Sequence, residues 1–310
     1  MFCLVLVLGF LFRVVISFAG HHGDISSYFE WGKEGYVRGF SDFYQRDFSS
    51  RLVSPANYPP LNIFLYSSIY GTYQLIRNSI MQLNVYIPIF PSQLVYVIDQ
   101  ENVVLALFKL PAILADMGIA LLFFVYGHQK KLRNLLLWSV VFVFNPVLWY
   151  NSALWGQLDS IPIFLLLLSL YVGIVKEKPF ISVLFFVAGF LIKQSLIIFI
   201  PLYFIVSLKR HGLYKSIIQL LFFFSVCVVS AVLMAYTLQV LFITSSTDIT
   251  GYAFNFWSLF FPLQGASDLQ PFITGINFQQ TGYTIFSITY IVVLLSFRKK
   301  KIVFDHLLLM

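Results

Sequence analysis

Charge is what this chain lacks most: only 11% of its 310 residues are Asp, Glu, Lys or Arg, against 59% hydrophobic and 19% aromatic. A soluble globular domain carries about 25% charged residues, so this composition excludes an ordinary water-soluble protein and points to one embedded in lipid. Cysteine is nearly absent as well. Cys3 and Cys227 sit in separate apolar runs, which argues against a disulfide framework or a metal site with paired ligands and leaves both as packing residues. A concentrated basic patch is also missing. The formal charge of +7 is scattered over short connections between apolar runs, so nucleic acid is not an expected partner.

What the sequence has in plenty is apolar length. A helix crosses the hydrocarbon core when about 20 mostly apolar residues run together, and windows of that kind lie near 2–18, 103–127, 134–150, 160–175, 179–192, 195–208, 216–242 and 283–297. They are continuously apolar and do not alternate, which predicts helices and not barrel strands. The expected fold is an all-α integral membrane protein of about eight transmembrane helices, one polytopic domain over residues 1–310. The shorter windows could be tilted, re-entrant or set in a thin bilayer.

Basic residues set the expected orientation. Lys130, Lys131 and Arg133, then Lys176 and Lys178, then Lys209, Arg210 and Lys215, and finally Arg298 to Lys301 all fall on one side of an eight-crossing scheme. By the positive-inside rule that side is the cytoplasm. Residues 19–102 then form a long outer loop and 243–282 a second one, and ten of the 13 acidic residues lie outside. The segment "LNIFLYSSIYGTYQLI" after Pro60 would upset the charge order if it crossed. It is read as an amphipathic helix of the outer loop, with Tyr66, Tyr70 and Tyr73 at the membrane interface. Residues 2–18 read as a retained helix or as a cleaved signal peptide ending near "SFAG"; Arg13, which splits the apolar run, and the missing basic leader favour the helix.

Five polar or aromatic motifs interrupt the apolar background: "GDISSYFEW", "NYPPLNIFLY", "FNPVLWYNSALWGQLDS", "LIKQSLIIFIPL" and "YAFNFW". In that order, behind a first membrane helix and a long outer loop with an early Asp, they resemble the GT-C fold of polytopic glycosyltransferases. More narrowly, they are similar to bacterial and archaeal mannosyltransferase-like membrane proteins, and to the dolichyl-phosphate-glucose glucosyltransferases and the second GPI mannosyltransferase. The resemblance covers about residues 20–260. It implies transfer of a mannose or glucose from a polyprenyl or dolichyl phosphate to a glycan or lipid-linked acceptor, at the non-cytoplasmic face of the cell membrane. Members of that group continue well beyond the length of this chain to a late "MHERY"-like motif. The sequence is therefore expected to be a C-terminally shortened relative, or one completed by a second chain.

Displacing a lipid phosphate from an anomeric carbon needs a base for the attacking hydroxyl more than it needs an acid. Asp24 is the candidate base, the role that the resemblance gives to the acid at the top of the first helix, with inversion at the sugar carbon. Asp24 also suits a helix N-cap ahead of "ISSYFEW". Lys193, beside Gln194, is the candidate donor-phosphate ligand, because a cation in so apolar a run needs either an anion or a path to the interface. Tyr58 is a candidate for the substrate groove. Asn151, Gln157 and Asp159 gather three polar groups where a sugar would sit, although Asp159 or Ser160 can also cap the next helix. Lys109 and Asp116, seven residues apart on one helical face, are expected to pair. No cofactor is expected; His21 and His22 could add a divalent metal beside Asp24, but no further ligand stands at supporting spacing. A transporter or flippase, and an inactive relative, are the alternatives. The first should show an internal repeat and charges near mid-membrane, and no repeat is visible.

Overall fold

The computed structural model describes residues 1–48, 54–234, 249, 259–261, 266–273 and 275–299. The "YAFNFW" motif and most of the stretch 243–265 lie outside the described residues. Within them the chain is a succession of helices: α1 (Phe2–Ser17), α2 (Gly23–Arg38), α3 (Pro60–Tyr86), α4 (Gln93–Ile98), α5 (Glu101–Gln129) and α6 (Leu135–Val143). Next come α7 (Pro146–Trp149), which runs into a π-helical turn at Tyr150–Trp155, then α8 (Ser160–Ile174) and α9 (Pro179–Ile192). A 3-10 turn at Gln194–Phe199 leads into α10 (Ile200–Met234). A small antiparallel hairpin of β1 (Pro271–Ile273) and β2 (Ile276–Asn277) precedes α11 (Phe278–Lys299).

Four segments are long and apolar enough to cross a membrane: Glu101–Gln129, Leu135–Trp155, Gln194–Met234 and Phe278–Ser296. This is a helical protein suited to a lipid bilayer. Helices α1, α8 and α9 are apolar but shorter. At 1.5 Å per residue, α8 and α9 span only about 21–23 Å of a hydrocarbon core about 30 Å thick. Polar side chains lock these two together: Ser169 Oγ donates to the Ser182 carbonyl at 2.8 Å and Ser182 Oγ to the Ser169 carbonyl at 2.9 Å. Small hydroxyl residues let the two backbones approach, which is how helices associate where no hydrophobic driving force separates protein from lipid. The long α10 bends at Gly212, whose φ of 81° and ψ of 171° leave the helical region. The basic residues Lys209, Arg210 and Lys215 flank this bend.

α3 departs from the interfacial role expected for its tyrosines. Asn62, Ile63, Tyr66, Ser67, Tyr70 and Tyr73 form one buried stripe, packed against α2 and α5 rather than laid on a surface. Tyr66 stacks on Tyr28 of α2 with centroids 4.9 Å apart and on Phe108 of α5 at 5.7 Å. Offset ring pairs add about 0.5–1.5 kcal/mol each beyond their buried area, so this aromatic layer holds α2 rigidly. Gly32 permits the approach: a Cβ there would stand 2.5 Å from the Tyr66 carbonyl oxygen.

The expected Lys109–Asp116 pair does not form. Asp116 Oδ2 instead faces Arg13 Nε of α1 at 3.3 Å, and Arg13 also donates to the Val143 carbonyl at 2.6 Å. Lys109 turns to backbone carbonyls. Face-sharing on one helix set the expectation, but a neighbouring helix brought a stronger counter-charge.

Candidate functional site

The site is built on the first turn of α2. His22, with extended backbone at φ −102° and ψ 159°, is the N-cap residue and its Nδ1 accepts from the Asp24 amide at 3.4 Å. Asp24 is therefore the second residue of the helix and not its cap, so its carboxylate is released from the backbone. That carboxylate is 43% exposed. Its Oδ2 accepts from Gln157 Nε2 and lies 3.4 Å from His22 Nδ1. Both contacts fall on one oxygen, and the exposure of the side chain leaves the carboxylate within reach of an incoming hydroxyl. The His22 ring is itself stacked on Trp155 at 4.4 Å.

Gln157 owes its position to a backbone device. The Asn151 carbonyl accepts from the amides of Gly156 and Gln157 at 3.1 and 2.9 Å, closing the wide turn that ends α7. Gly156 sits there at φ 89°, and a Cβ would meet Ile25 Cβ at 3.1 Å. Only glycine fits both the left-handed backbone and the close approach to α2. Gln157 Oε1 faces the Tyr28 hydroxyl at 3.5 Å, and the same hydroxyl lies 3.5 Å from that of Tyr58. Burial above all, then the neighbouring Tyr58 and Tyr66, pushes the Tyr28 phenol well above its ordinary value, so it keeps its proton and donates.

Tyr58 belongs to the "NYPP" segment, tied down where Tyr44 donates to the Tyr58 carbonyl at 2.6 Å and Trp31 Nε1 to the Ser54 carbonyl at 2.9 Å. Its ring lies 5.6 Å from Lys193 Nζ, within cation–π range. Lys193 ends α9 with extended backbone and donates to Asp159 Oδ1; the two side chains are 19% and 40% exposed. Gln194 Nε2 donates to the Asn57 carbonyl at 2.9 Å, and Asn62 Nδ2 to the Ile192 carbonyl at 3.3 Å.

One run of contacts thus links Asp24, Gln157, Tyr28, Tyr58, Lys193 and Asp159, with Gln194 bracing the same junction. Asn151 stands apart. It contributes through its carbonyl, while its side chain lines an open groove of about 460 Å³ with Val147, Leu148, Tyr150 and Trp155. Tyr28 was not singled out from the sequence, although it lies four residues after Asp24, the spacing that places two side chains on one helix face. Among the described residues no group of three or more His, Cys, Asp or Glu is arranged to hold a metal ion.

The arrangement offers a half-exposed carboxylate at one end and a partly buried ammonium at the other, bridged by an amide and two phenols. Chemically, it can accept a proton at Asp24 and hold an anion at Lys193. No family model, curated protein or solved structure matches the chain.

Proposed function

We propose that this protein is a membrane glycosyltransferase of the GT-C kind, which moves a hexose from a polyprenyl or dolichyl phosphate onto an acceptor hydroxyl. The observation that carries this reading is the contact run from Asp24 through Gln157, Tyr28 and Tyr58 to Lys193. Two charges of opposite sign, drawn from segments far apart in sequence, meet around one polar cluster in an otherwise apolar chain. The accompanying topology is eight crossings in the cell membrane with the cluster on the non-cytoplasmic side.

In this mechanism the acceptor hydroxyl approaches the Asp24 carboxylate. Its oxygen bonds to the anomeric carbon as its proton passes to the carboxylate, and the bond from that carbon to the phosphate oxygen breaks. The lipid phosphate leaves with the electron pair, and attack opposite the leaving group inverts the sugar carbon. Lys193 holds the phosphate and stabilises the charge that grows on it, an interaction strengthened where water is largely excluded. Before donor binds, Asp159 neutralises that ammonium, so phosphate and carboxylate compete for it. Gln157 fixes the carboxylate plane, the buried Tyr28 phenol braces Gln157, and the Tyr58 phenol offers a hydroxyl to the sugar.

Purified protein supplied with a polyprenyl-phosphate hexose and a lipid acceptor is expected to transfer sugar. General-base assistance is worth about 10² to 10⁴ in rate, so Asp24→Asn should lower kcat by at least about a hundredfold while the protein remains folded. Unchanged turnover in that variant would take Asp24 out of the mechanism.

A further inference from the structure

Lys109 and Asp116 lie on the buried face of α5, each 1% exposed, and neither is hydrogen-bonded or ion-paired to Asp24, Gln157, Lys193 or Asp159. Together they hold the segments that carry Asp24, Gln157 and Asp159. Lys109 Nζ donates to the Ser17 carbonyl at 2.8 Å, to the Leu154 carbonyl at 3.0 Å and to the Gly20 carbonyl. Ser17 and Gly20 begin and end the turn that leads to His22 and Asp24. Leu154 belongs to the turn that leads to Gly156 and Gln157. A single ammonium therefore spans the two segments whose side chains meet in the Asp24–Gln157 bond. Gly156 packs on the same lysine stem, where a Cβ would stand 3.3 Å from Lys109 Cε.

Asp116 holds the other side. Its Oδ2 accepts from Ser152 Oγ at 2.6 Å and its Oδ1 from Ser160 Oγ at 2.5 Å, while Arg13 Nε at 3.3 Å fixes the carboxylate. Ser152 and Ser160 bracket the stretch that contains both Gln157 and Asp159. The two buried charges together clamp that stretch at both ends and tie it to the approach to α2.

We propose that Lys109 and Asp116 are positioning residues: they set the spacing between the turn that bears Asp24 and the stretch that bears Gln157 and Asp159. Its consequence for catalysis rests on the glycosyl-transfer reading, whereas the spacing itself is measurable without turnover. A misplacement of about 1 Å at a reacting group can cost on the order of a hundredfold in rate, so tethers of this kind decide whether a base is aligned.

The test is oxidative cross-linking in full-length protein carrying Cys3→Ser and Cys227→Ala. An Asp24→Cys, Gln157→Cys pair is timed with and without Lys109→Met. A Ser169→Cys, Ser182→Cys pair in α8 and α9, whose hydroxyls lie 3.2 Å apart, serves as reference. Lys109→Met is expected to slow the first cross-link by about tenfold or more and to leave the second unchanged, because three carbonyls lose their shared donor only at the site. Equal slowing of both pairs would reduce Lys109 to general stability, and an unchanged first pair would remove it from positioning; either overturns the proposal. If Lys109→Met does not yield monodisperse protein, Lys109→Gln, which keeps two donors without the charge, is read in the same way. With the cysteine pairs absent, the lysine variant is expected to lose kcat in polyprenyl-phosphate hexose transfer with little change in KM for the donor. Absence of transfer in wild-type protein would sink the glycosyl-transfer reading and leave the cross-linking rates to decide the positioning.

Discussion

Two ion pairs in this molecule use the same chemistry in opposite surroundings. Arg13 and Asp116 are 0% and 1% exposed, and the carboxylate is further engaged by two serine hydroxyls. Lys193 and Asp159 are 19% and 40% exposed, and the ammonium also faces the Tyr58 ring. A buried pair carries a desolvation cost that mutual attraction and added hydrogen bonds offset, here only in part because Arg13 Nη2 is buried without a partner, so it holds helices in place and is unavailable to anything else. A partly exposed pair sits in reach of water and of a ligand, and contributes little to stability. The contrast separates a charge that builds the fold from a charge that can be borrowed by a substrate.

Breaking the buried pair gives the largest expected effect. Asp116→Ala leaves Arg13 uncompensated in the interior, which typically costs about 3–5 kcal/mol. The variant is expected to melt far below wild type in detergent, or to fail to accumulate; an unchanged melting temperature would show that the Arg13–Asp116 contact is incidental. Next in size is the partly buried cation Lys193. Lys193→Ala should raise the donor KM and lower kcat, for a combined loss of about a hundredfold or more in kcat/KM, while melting shifts little. A variant that folds and binds donor as wild type does would leave the ammonium without a role.

Asp159→Asn sharpens the comparison from the other side. It frees Lys193 from its competitor, so melting should change by about 1 kcal/mol or less and donor KM should fall rather than rise. A rise would mean that Asp159 itself contacts the sugar. The smallest effect belongs to a third, surface pair, Arg77 and Asp99, with Nε and Oδ1 2.8 Å apart. Hydrogen bonding from Arg77, opposed by partial burial and aided by Tyr73, holds the Asp99 carboxyl below its ordinary value. A depressed folded value stabilises the protein fully above the unfolded value near 4, and that stabilisation fades as pH falls through the folded value. Melting temperatures compared at pH 7 and pH 3 should therefore show a slightly smaller acid loss in Asp99→Asn than in wild type. An identical loss would assign the acid sensitivity elsewhere.

Much of the helical framework was legible because continuous apolar runs have one solution in lipid: α1, α8 and α9 begin and end within a few residues of their sequence windows. Side-chain partnerships were less legible. Tyr66, Tyr70 and Tyr73 suit a membrane interface by residue type, yet a stripe repeating every three or four residues equally suits a core, and α2 supplied the facing rings. The N-cap of α2 moved from Asp24 to His22 because a cap is assigned by backbone geometry: the His22 ring nitrogen accepts from the Asp24 amide, although residue type favours Gly23 or Asp24. Arg13 gave a visible signal, a cation inside an apolar run, but its partner lies 103 positions away and no local spacing could name it. Gln157 and Asp159 were visible as polar groups at a helix entrance. That one binds Asp24 and the other Lys193 depends on the Gly156 turn and on contacts between segments far apart in sequence.

The most direct test is the reach of positions 24 and 193 from outside the cell. In intact cells expressing protein with Cys3→Ser and Cys227→Ala, Asp24→Cys and Lys193→Cys are labelled separately with a membrane-impermeant maleimide, with and without added polyprenyl phosphate. The expected result is labelling of both from the external medium, slowed at both by the lipid phosphate. Labelling of either position only after permeabilisation would contradict a shared outward-facing site and the transfer reaction proposed for it.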